Sequence, residues 1–310
     1  MQEGVRVKYS EEERRNEIQM VCGHFIHWFT SDKITRNKFL VFVLDNSGSM
    51  GGGKLDKLKS AMEQILTKMI SSTDYFSIIT FSDYRTVWND TVDDQASSGI
   101  FKGDHRMKAS EYIKNLGVAS GDIYTFIGAA ILDGITQAER LKSALKGKNL
   151  APMIAFLTDG QCSCPGYPGE TKQEILNNVL AKNVEKIPIL TLGFGADVDK
   201  DLLQKISAQT NSMSRMISDG ADAQDQLEDF FKEIERPTLS NVQFNYLGNV
   251  KEDSLSEVSK GQMFSGGEFV AVGETRNARG KLAVTVSADS RDGRVTSKTT
   301  LKEEKSVTDR

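Results

Sequence analysis

The chain has 310 residues, 38% of them apolar and 26% charged, with 39 basic and 43 acidic residues giving a net charge of -4. That length suggests two domains, and the apolar share is enough for a buried core and too high for a disordered chain. No block of like charge reads as a nucleic-acid arm or polybasic membrane anchor, and no apolar run of about eighteen residues reads as a transmembrane segment, so neither nucleic acid nor a bilayer is an expected partner.

In chain order, the first 36 residues hold a strand-like run over 20–29 and a shorter one over 5–9. Such strands are marginal in water alone and need partners elsewhere. Residues 39–44, FLVFVL, are continuously apolar, as expected of a central strand covered on both faces. Residues 54–70 then place Leu55, Leu58, Met62, Ile65, Leu66 and Met69 on one helical face. Strand 75–81, helices 106–116 and 125–141, strand 153–158, helix 171–184, strand 187–194, helix 199–209, strand 214–217 and helix 222–235 continue the alternation. This pattern predicts a doubly wound, mainly parallel α/β sheet with helices on both faces. Residues 84–88 follow the second strand too closely for a crossover helix, so they are the one expected antiparallel edge.

After Pro237 the apolar period drops to two, as in Val242, Phe244 and Tyr246, and residues 269–272, 282–286 and 295–299 read as further strands. The expected architecture is an α/β domain over 37–236 inserted in a β-sandwich-like domain formed by residues 1–36 and 237–310.

The chemistry gathers at the carboxyl ends of the strands, where open α/β sheets hold their ligands. Asp45, Ser47 and Ser49 follow the first apolar strand, and Gly51 to Gly53 then allow a tight turn into helix 54–70. Thr125 opens a helix, and Asp159 ends another apolar strand in Leu157-Thr158-Asp159-Gly160. Taken singly, these are helix caps and a common turn. Taken together, they supply three hydroxyls and two carboxylates from three loops that the topology brings to one edge. Hard oxygen ligands of this kind suit Mg²⁺ or Ca²⁺ far better than Zn²⁺. The glycines do not form a phosphate loop, because Gly53-Lys54 is followed by Leu55, and Ser47 does not sit in a Gly-x-Ser-x-Gly elbow.

Those five residues resemble, position for position, the metal-ion-dependent adhesion site of von Willebrand factor type A domains. The resemblance implies a Rossmann-like fold over 37–236. It also implies Ser47, Ser49 and Thr125 as direct or near-direct ligands of one cation, with Asp45 and Asp159 acting largely through bound waters. Mg²⁺ is the expected ion, with Mn²⁺ and Ca²⁺ as the alternatives. Two carboxylates nearly neutralise it, which leaves a coordination position for one more anionic oxygen. Residues 23–29, 168–179, 192–195 and 230–237 further resemble inter-alpha-trypsin inhibitor heavy chains, a secreted, matrix- and hyaluronan-associated family. The upstream β domain and the C-terminal Asp-Pro-His sequence of that family are not seen, so the chain reads either as a piece of a longer heavy chain or as a relative that kept the adhesion module alone.

The expected function is therefore extracellular adhesion, with Mg²⁺ gripping a carboxylate of a protein or matrix partner, and with the signal peptide absent from these residues. Catalysis is not expected, since no His or Glu stands beside the motif as a general base and no second set of metal ligands is present. The competing readings are a structural matrix protein with a fold-stabilising ion and a metal-dependent hydrolase. His24, His27 and His105 have no zinc-site spacing with the cysteines and read as packing or surface residues. Cys162 and Cys164 leave three states open: a local disulfide, free thiols, or a bond from one of them to Cys22. Asn89 begins the sole glycosylation sequon, and Trp88 before it reads as a packing residue of the edge strand.

Overall fold

The computed structural model of the protein describes residues 16–21, 24–30, 35–89, 99–120, 124–145, 148, 150–160, 166–218, 220–277 and 280–301. Its first elements are strands β1 (Asn16–Val21) and β2 (His24–Thr30), paired antiparallel with Val21 opposite His24. The single strand-like run expected over 20–29 is thus two strands. Folding back satisfies the backbone groups that one long strand would leave unpaired. The run over 5–9 lies outside the described residues. The chain splits into two compact units, Asn37–Arg236 and, together, Met1–Arg36 with Pro237–Arg310.

The α/β unit starts with β3 (Lys38–Asp45), buried at every position, as a strand with helices on both faces must be. Next come α1 (Lys54–Gln64), β4 (Tyr75–Phe81), β5 (Arg85–Val87), β6 (Phe101–Lys102) and α2 (Arg106–Lys114). They are followed by α3 (Ile127–Ala144), β7 (Ala151–Thr158), α4 (Lys172–Lys182) and β8 (Ile189–Phe194), then α5 (Lys200–Gln209), β9 (Ser214–Ile217) and α6 (Ala223–Ile234). The sheet runs β5-β4-β3-β7-β8-β9, with β6 also on β4. β4, β3, β7, β8 and β9 are parallel, while β5 and β6 are antiparallel to β4. The strand order therefore reverses between β3 and β7, which makes the carboxyl ends of those two strands the switch-point crevice of the sheet.

Helices α3, α4 and α5 bury Ile131, Ile175 and Leu202 with Val41, Val43 and Phe156 in one core. On the other face Phe42 meets Phe231 of α6, with ring centroids 5.9 Å apart. Trp88 is buried against Phe101 at 4.3 Å, a packing residue as its edge position implied.

Three local expectations need correction. The helix expected over 54–70 is α-helical only to Gln64, and Ile65–Met69 is a π-helical turn. There the Thr67 hydroxyl donates to the Glu63 carbonyl at 2.7 Å, and such back-bonding by a β-branched residue disturbs the regular ladder. The helix expected from Thr125 begins at Ile127, so Thr125 lies in the turn before it. The single antiparallel edge becomes two, because β6 is too short to carry a periodic signal.

The second unit adds β10 (Pro237–Gly248), β11 (Ser259–Phe264), β12 (Glu268–Glu274), β13 (Leu282–Ser290) and β14 (Gly293–Leu301). β11 escapes a sequence reading because Ser259-Lys260-Gly261-Gln262 shows no apolar alternation. Two sheets form, β1-β2-β12 and β11-β10-β13-β14. Phe25, Phe29 and Phe269 of the first share a core with Phe244, Tyr246 and Val284 of the second, and the Phe244 and Phe269 rings stack at 3.7 Å. That face-to-face burial makes the unit a β-sandwich. Inside it the His27 ring bonds the Tyr246 hydroxyl and Asn16 Oδ1, both at 2.8 Å.

Burial holds the His27 imidazole down at about 4. The unfolded chain therefore takes up a proton over a window in which the folded one does not, and His27 contributes stability above about pH 6.5 that is lost as pH falls toward 4. Substituting His27→Leu should destabilise the protein by about 2–3 kcal/mol near neutral pH, because two buried polar groups lose their partner. The gap between wild type and variant should narrow near pH 5. Urea denaturation of both proteins at the two pH values checks this, and a gap that stays constant or widens counts against it.

Candidate metal centre

Strand β3 ends on Asp45, whose carboxylate is fully buried. A carboxylate taken out of water needs partners for its lone pairs. Asp45 Oδ1 accepts from the Ser47 amide at 2.9 Å, and Oδ2 accepts from the Thr158 hydroxyl at the end of β7 at 2.5 Å. The chain then makes one 3-10 turn, Gly48–Met50, with Met50 buried beneath it. It passes into α1 through Gly52 and Gly53 at φ 67° and 92°, left-handed values that glycine adopts without steric cost. This turn brings the Ser47 and Ser49 hydroxyls within 3.1 Å of each other, and Ser49 donates to Asp159 Oδ1 at 2.7 Å. The other Asp159 oxygen accepts from Lys54 Nζ at 2.6 Å.

Thr125 is buried at the same edge. A Cβ placed on Gly160 would stand 3.8 Å from Thr125 Cγ2 and 3.8 Å from Asp45 Oδ2, so the two residues flank that glycine. Hydrogen bonds fix the Thr125 segment on both sides. The Tyr124 amide donates to Asp83 Oδ1 at 2.6 Å and the Phe126 amide to the Ser82 carbonyl at 3.3 Å. One turn on, the Gly128 and Ala129 amides donate to the two carboxylate oxygens of buried Glu170, each at 2.8 Å. A negative charge is favoured at the amino end of a helix such as α3. Glu170 approaches this closely only because residue 128 is glycine, where a Cβ would meet the Gly169 carbonyl at 2.7 Å and Ile175 Cγ1 at 2.9 Å. The Tyr167 ring adds a second tie, 4.9 Å from Tyr124 and 5.1 Å from Phe126 between centroids.

All five residues expected from the sequence stand at this edge. Asp159, Ser49 and Ser47 form one hydrogen-bonded chain, the Ser47 amide binds Asp45, and Thr125 lies across Gly160. Four further residues belong to the arrangement without having been foreseen. Thr158 adjoins Asp159 in the motif, Glu170 sits in Pro-Gly-Glu-Thr, Asp83 is in the loop after β4, and Lys54 reads in sequence as an ordinary helix-surface lysine. Cys22, Cys162 and Cys164 lie outside the described residues, as do Asp90 and Thr91 of the sequon, while Asn89 is exposed. His105 packs on Phe101, whose strand pairs at the amino end of β4, the end opposite Asp45.

Burial pushes the Asp45 carboxyl up to about 6; hydrogen bonds from Ser47 and Thr158 oppose this, and the negative charge of Asp159 adds to it. Two buried carboxylates joined through hydroxyls form a site where a cation is favoured, and a donor set made wholly of oxygen matches a hard divalent ion. Among the described residues no three His, Cys, Asp or Glu side chains cluster to hold a metal, so an ion at this edge must draw on the hydroxyls as well.

The family model of the von Willebrand factor type A domain matches residues 40–233. Human inter-alpha-trypsin inhibitor heavy chain H6 is 31% identical over 276 residues, which is 88% of this chain and 20% of that protein. Human heavy chain H4 is 31% identical over 87% of this chain and 28% of its own length, and human heavy chain H2 is 30% identical over 85% and 26%. The chain thus spans about a fifth to about a quarter of these relatives. Among solved structures, a von Willebrand factor type A protein from Catenulispora acidiphila superposes with a TM-score of 0.69 at 13% identity, covering 96% of this chain and 74% of its own. The ArnB paralog VWA2 from Sulfolobus acidocaldarius gives 0.57 at 15% identity, covering 90% and 69%. At those identities the likeness is one of fold.

Two outcomes follow from the geometry. In protein treated with chelator, the raised Asp45 pKa means that the folded state holds a proton the unfolded state has released, so stability should fall as pH rises from about 4 to about 6. Asp45→Asn should remove this component, about 2–3 kcal/mol, and denaturation of the two proteins across that range measures it. Glu170→Gln replaces one charge-assisted acceptor with a donor facing an amide, and should cost about 1–3 kcal/mol. Urea midpoints of variant and wild type check that cost, and a variant as stable as wild type would show that Glu170 does not hold the start of α3.

Proposed function

The chain belongs to the von Willebrand factor type A family, and on that premise we propose that it is a secreted, non-enzymatic adhesion protein. In this reading Asp45, Ser47, Ser49, Thr125 and Asp159 hold one divalent cation, Mg²⁺, and the cation grips a carboxylate of an extracellular protein or matrix partner. When bound, the ion supplies a Lewis-acidic coordination position for that carboxylate. The residues of the chain supply the rest: hydroxyls that turn toward the ion, carboxylates that hold its waters, and a rigid strand end that fixes them all. The domain division belongs to the same proposal, with residues 1–36 and 237–310 forming one β-sandwich-like domain and 37–236 the type A domain inserted in it.

One observation carries the reading. The Ser49 hydroxyl lies between Ser47 and Asp159, 3.1 Å and 2.7 Å away, so that two loops far apart in sequence present oxygens to one point. Binding is preferred to hydrolysis because the one histidine between residues 37 and 236, His105, is at the far end of the sheet from Asp45, and Glu170 is engaged through both carboxylate oxygens by the Gly128 and Ala129 amides. Similarity to heavy chains supports an extracellular setting, and no helix among the described residues is long and apolar enough to cross a membrane.

Calorimetric titration of Mg²⁺, Mn²⁺ and Ca²⁺ into wild type and Asp159→Ala tests the ion. We expect one site in wild type, with affinity about 10–100-fold weaker in the variant, as for loss of a residue acting through bound water. Chelation should abolish carboxylate binding while the far-ultraviolet spectrum persists. Unfolding on chelation, without any carboxylate bound by the loaded protein, would instead support an ion that only stabilises the fold.

A further inference from the structure

We infer that Lys54 sets the charge of the metal centre, neutralising Asp159 so that the bound cation keeps an excess positive charge for the partner's carboxylate. The inference rests on the metal reading above and adds to it a residue that governs anion affinity.

Three observations carry it. Helix α1 gives Lys54 no electrostatic reason to stand where it does, because it is the first residue of that helix, where the aligned peptide dipoles disfavour a cation. What it does have is Asp159: the ammonium donates to Oδ2 at 2.6 Å, with the Asp159 side chain wholly enclosed and that of Lys54 24% exposed. In so partly dried a setting a charge acts more strongly than it does on an open surface. Finally, the Asp159 carboxylate is divided between two uses. Oδ2 is given to Lys54, while Oδ1 is left to the Ser49 hydroxyl, which continues to Ser47.

The charge balance then decides the consequence. A divalent cation between two ionised aspartates makes a neutral centre, with little attraction for an anion beyond the coordination bond itself. Lys54 adds one positive charge to that centre. The same ammonium repels the cation, so metal affinity and anion affinity move in opposite directions through one side chain.

That opposition is the test. In the full chain near neutral pH, Mn²⁺ titration followed by water-proton relaxation gives the cation affinity, and acetate added to the loaded protein gives the anion affinity. Lys54→Met and Lys54→Gln should bind Mn²⁺ about tenfold more tightly and acetate about tenfold more weakly, the scale of one unit charge acting over several ångströms in a partly solvated site. Lys54→Arg, which keeps the charge, should behave as wild type, and it decides the question together with Lys54→Gln if the methionine variant folds poorly. A purely structural lysine would move both affinities in the same direction or neither, and either result overturns the inference. Wild type that takes up no Mn²⁺ is a separate outcome, seen in the first titration alone, and it removes the metal reading and this inference together.

Discussion

The α/β unit is built around a charge that has been taken out of water. Asp45 closes a strand whose every residue is buried, so its carboxylate cannot reach solvent and must be satisfied by what the fold places beside it. The register does this. Leu44 of β3 pairs with Leu157 of β7, which sets Thr158 next to Asp45 and lets its hydroxyl reach Oδ2. A slip of one residue would turn β3 over, exchanging the faces of Val41 and Val43 with those of Leu40 and Phe42, and would withdraw the hydroxyl. Packing of the core and satisfaction of the carboxylate therefore select the same alignment.

The two ends of the sheet treat buried charge differently. At the amino end Lys38 Nζ meets Asp74 at 2.9 Å, with both side chains almost wholly enclosed. The amides of Lys38 and Ser71 complete the Asp74 carboxylate, each at 2.8 Å, so that pair is closed on itself. At the carboxyl end Asp159 meets Lys54, which is partly exposed, while Asp45 is held by the Ser47 amide and the Thr158 hydroxyl. The first arrangement is structural, because its charges are balanced by groups that have nowhere else to go. The second retains negative charge and puts the Ser47 and Ser49 hydroxyls on a loop rich in glycine, outside the strands, and in the reading proposed above that loop takes up the cation. Tyr167 and Glu170 tie the Thr125 turn and the start of α3 to the segment that leads into α4.

The alternation of apolar runs with amphipathic stretches made the α/β fold legible, because a parallel sheet covered on both faces leaves continuous signals such as residues 39–44. The flanking strands were legible where buried and exposed residues alternate, as in β12, and illegible in β11, where glycine and polar residues interrupt the pattern. The candidate site was readable as oxygen-bearing residues at strand ends. Glu170 was not, since its role depends on the absence of a side chain at Gly128, more than forty positions away. Lys54 was hidden for a related reason: a lysine at the start of a helix looks like a solvated surface residue until the chain shows which carboxylate stands opposite. The change from α to π geometry at Ile65 depends on where one hydroxyl finds a carbonyl, which no periodicity records.

The flanking segments present the complementary problem, that of holding together residues separated by two hundred positions. The Arg36 amide donates to the Pro237 carbonyl at 2.8 Å, and the Arg36 guanidinium bonds the Ser240 hydroxyl and, at 3.3 Å, the Asp289 carbonyl. Deeper in the same unit, His27 joins β2 to β1 through Asn16 and to β10 through Tyr246, and Asn16 reaches Ser297 of β14 at 3.1 Å. The two places where the chain leaves and re-enters this unit are thus hydrogen-bonded neighbours. For the sandwich, the intervening residues amount to a long loop whose ends are already closed, and the entropic cost of such closure grows only slowly with loop length. On the proposed division, a host whose chain leaves and re-enters at hydrogen-bonded neighbours keeps its own strand pairing intact, so a long insertion there need not divide its core.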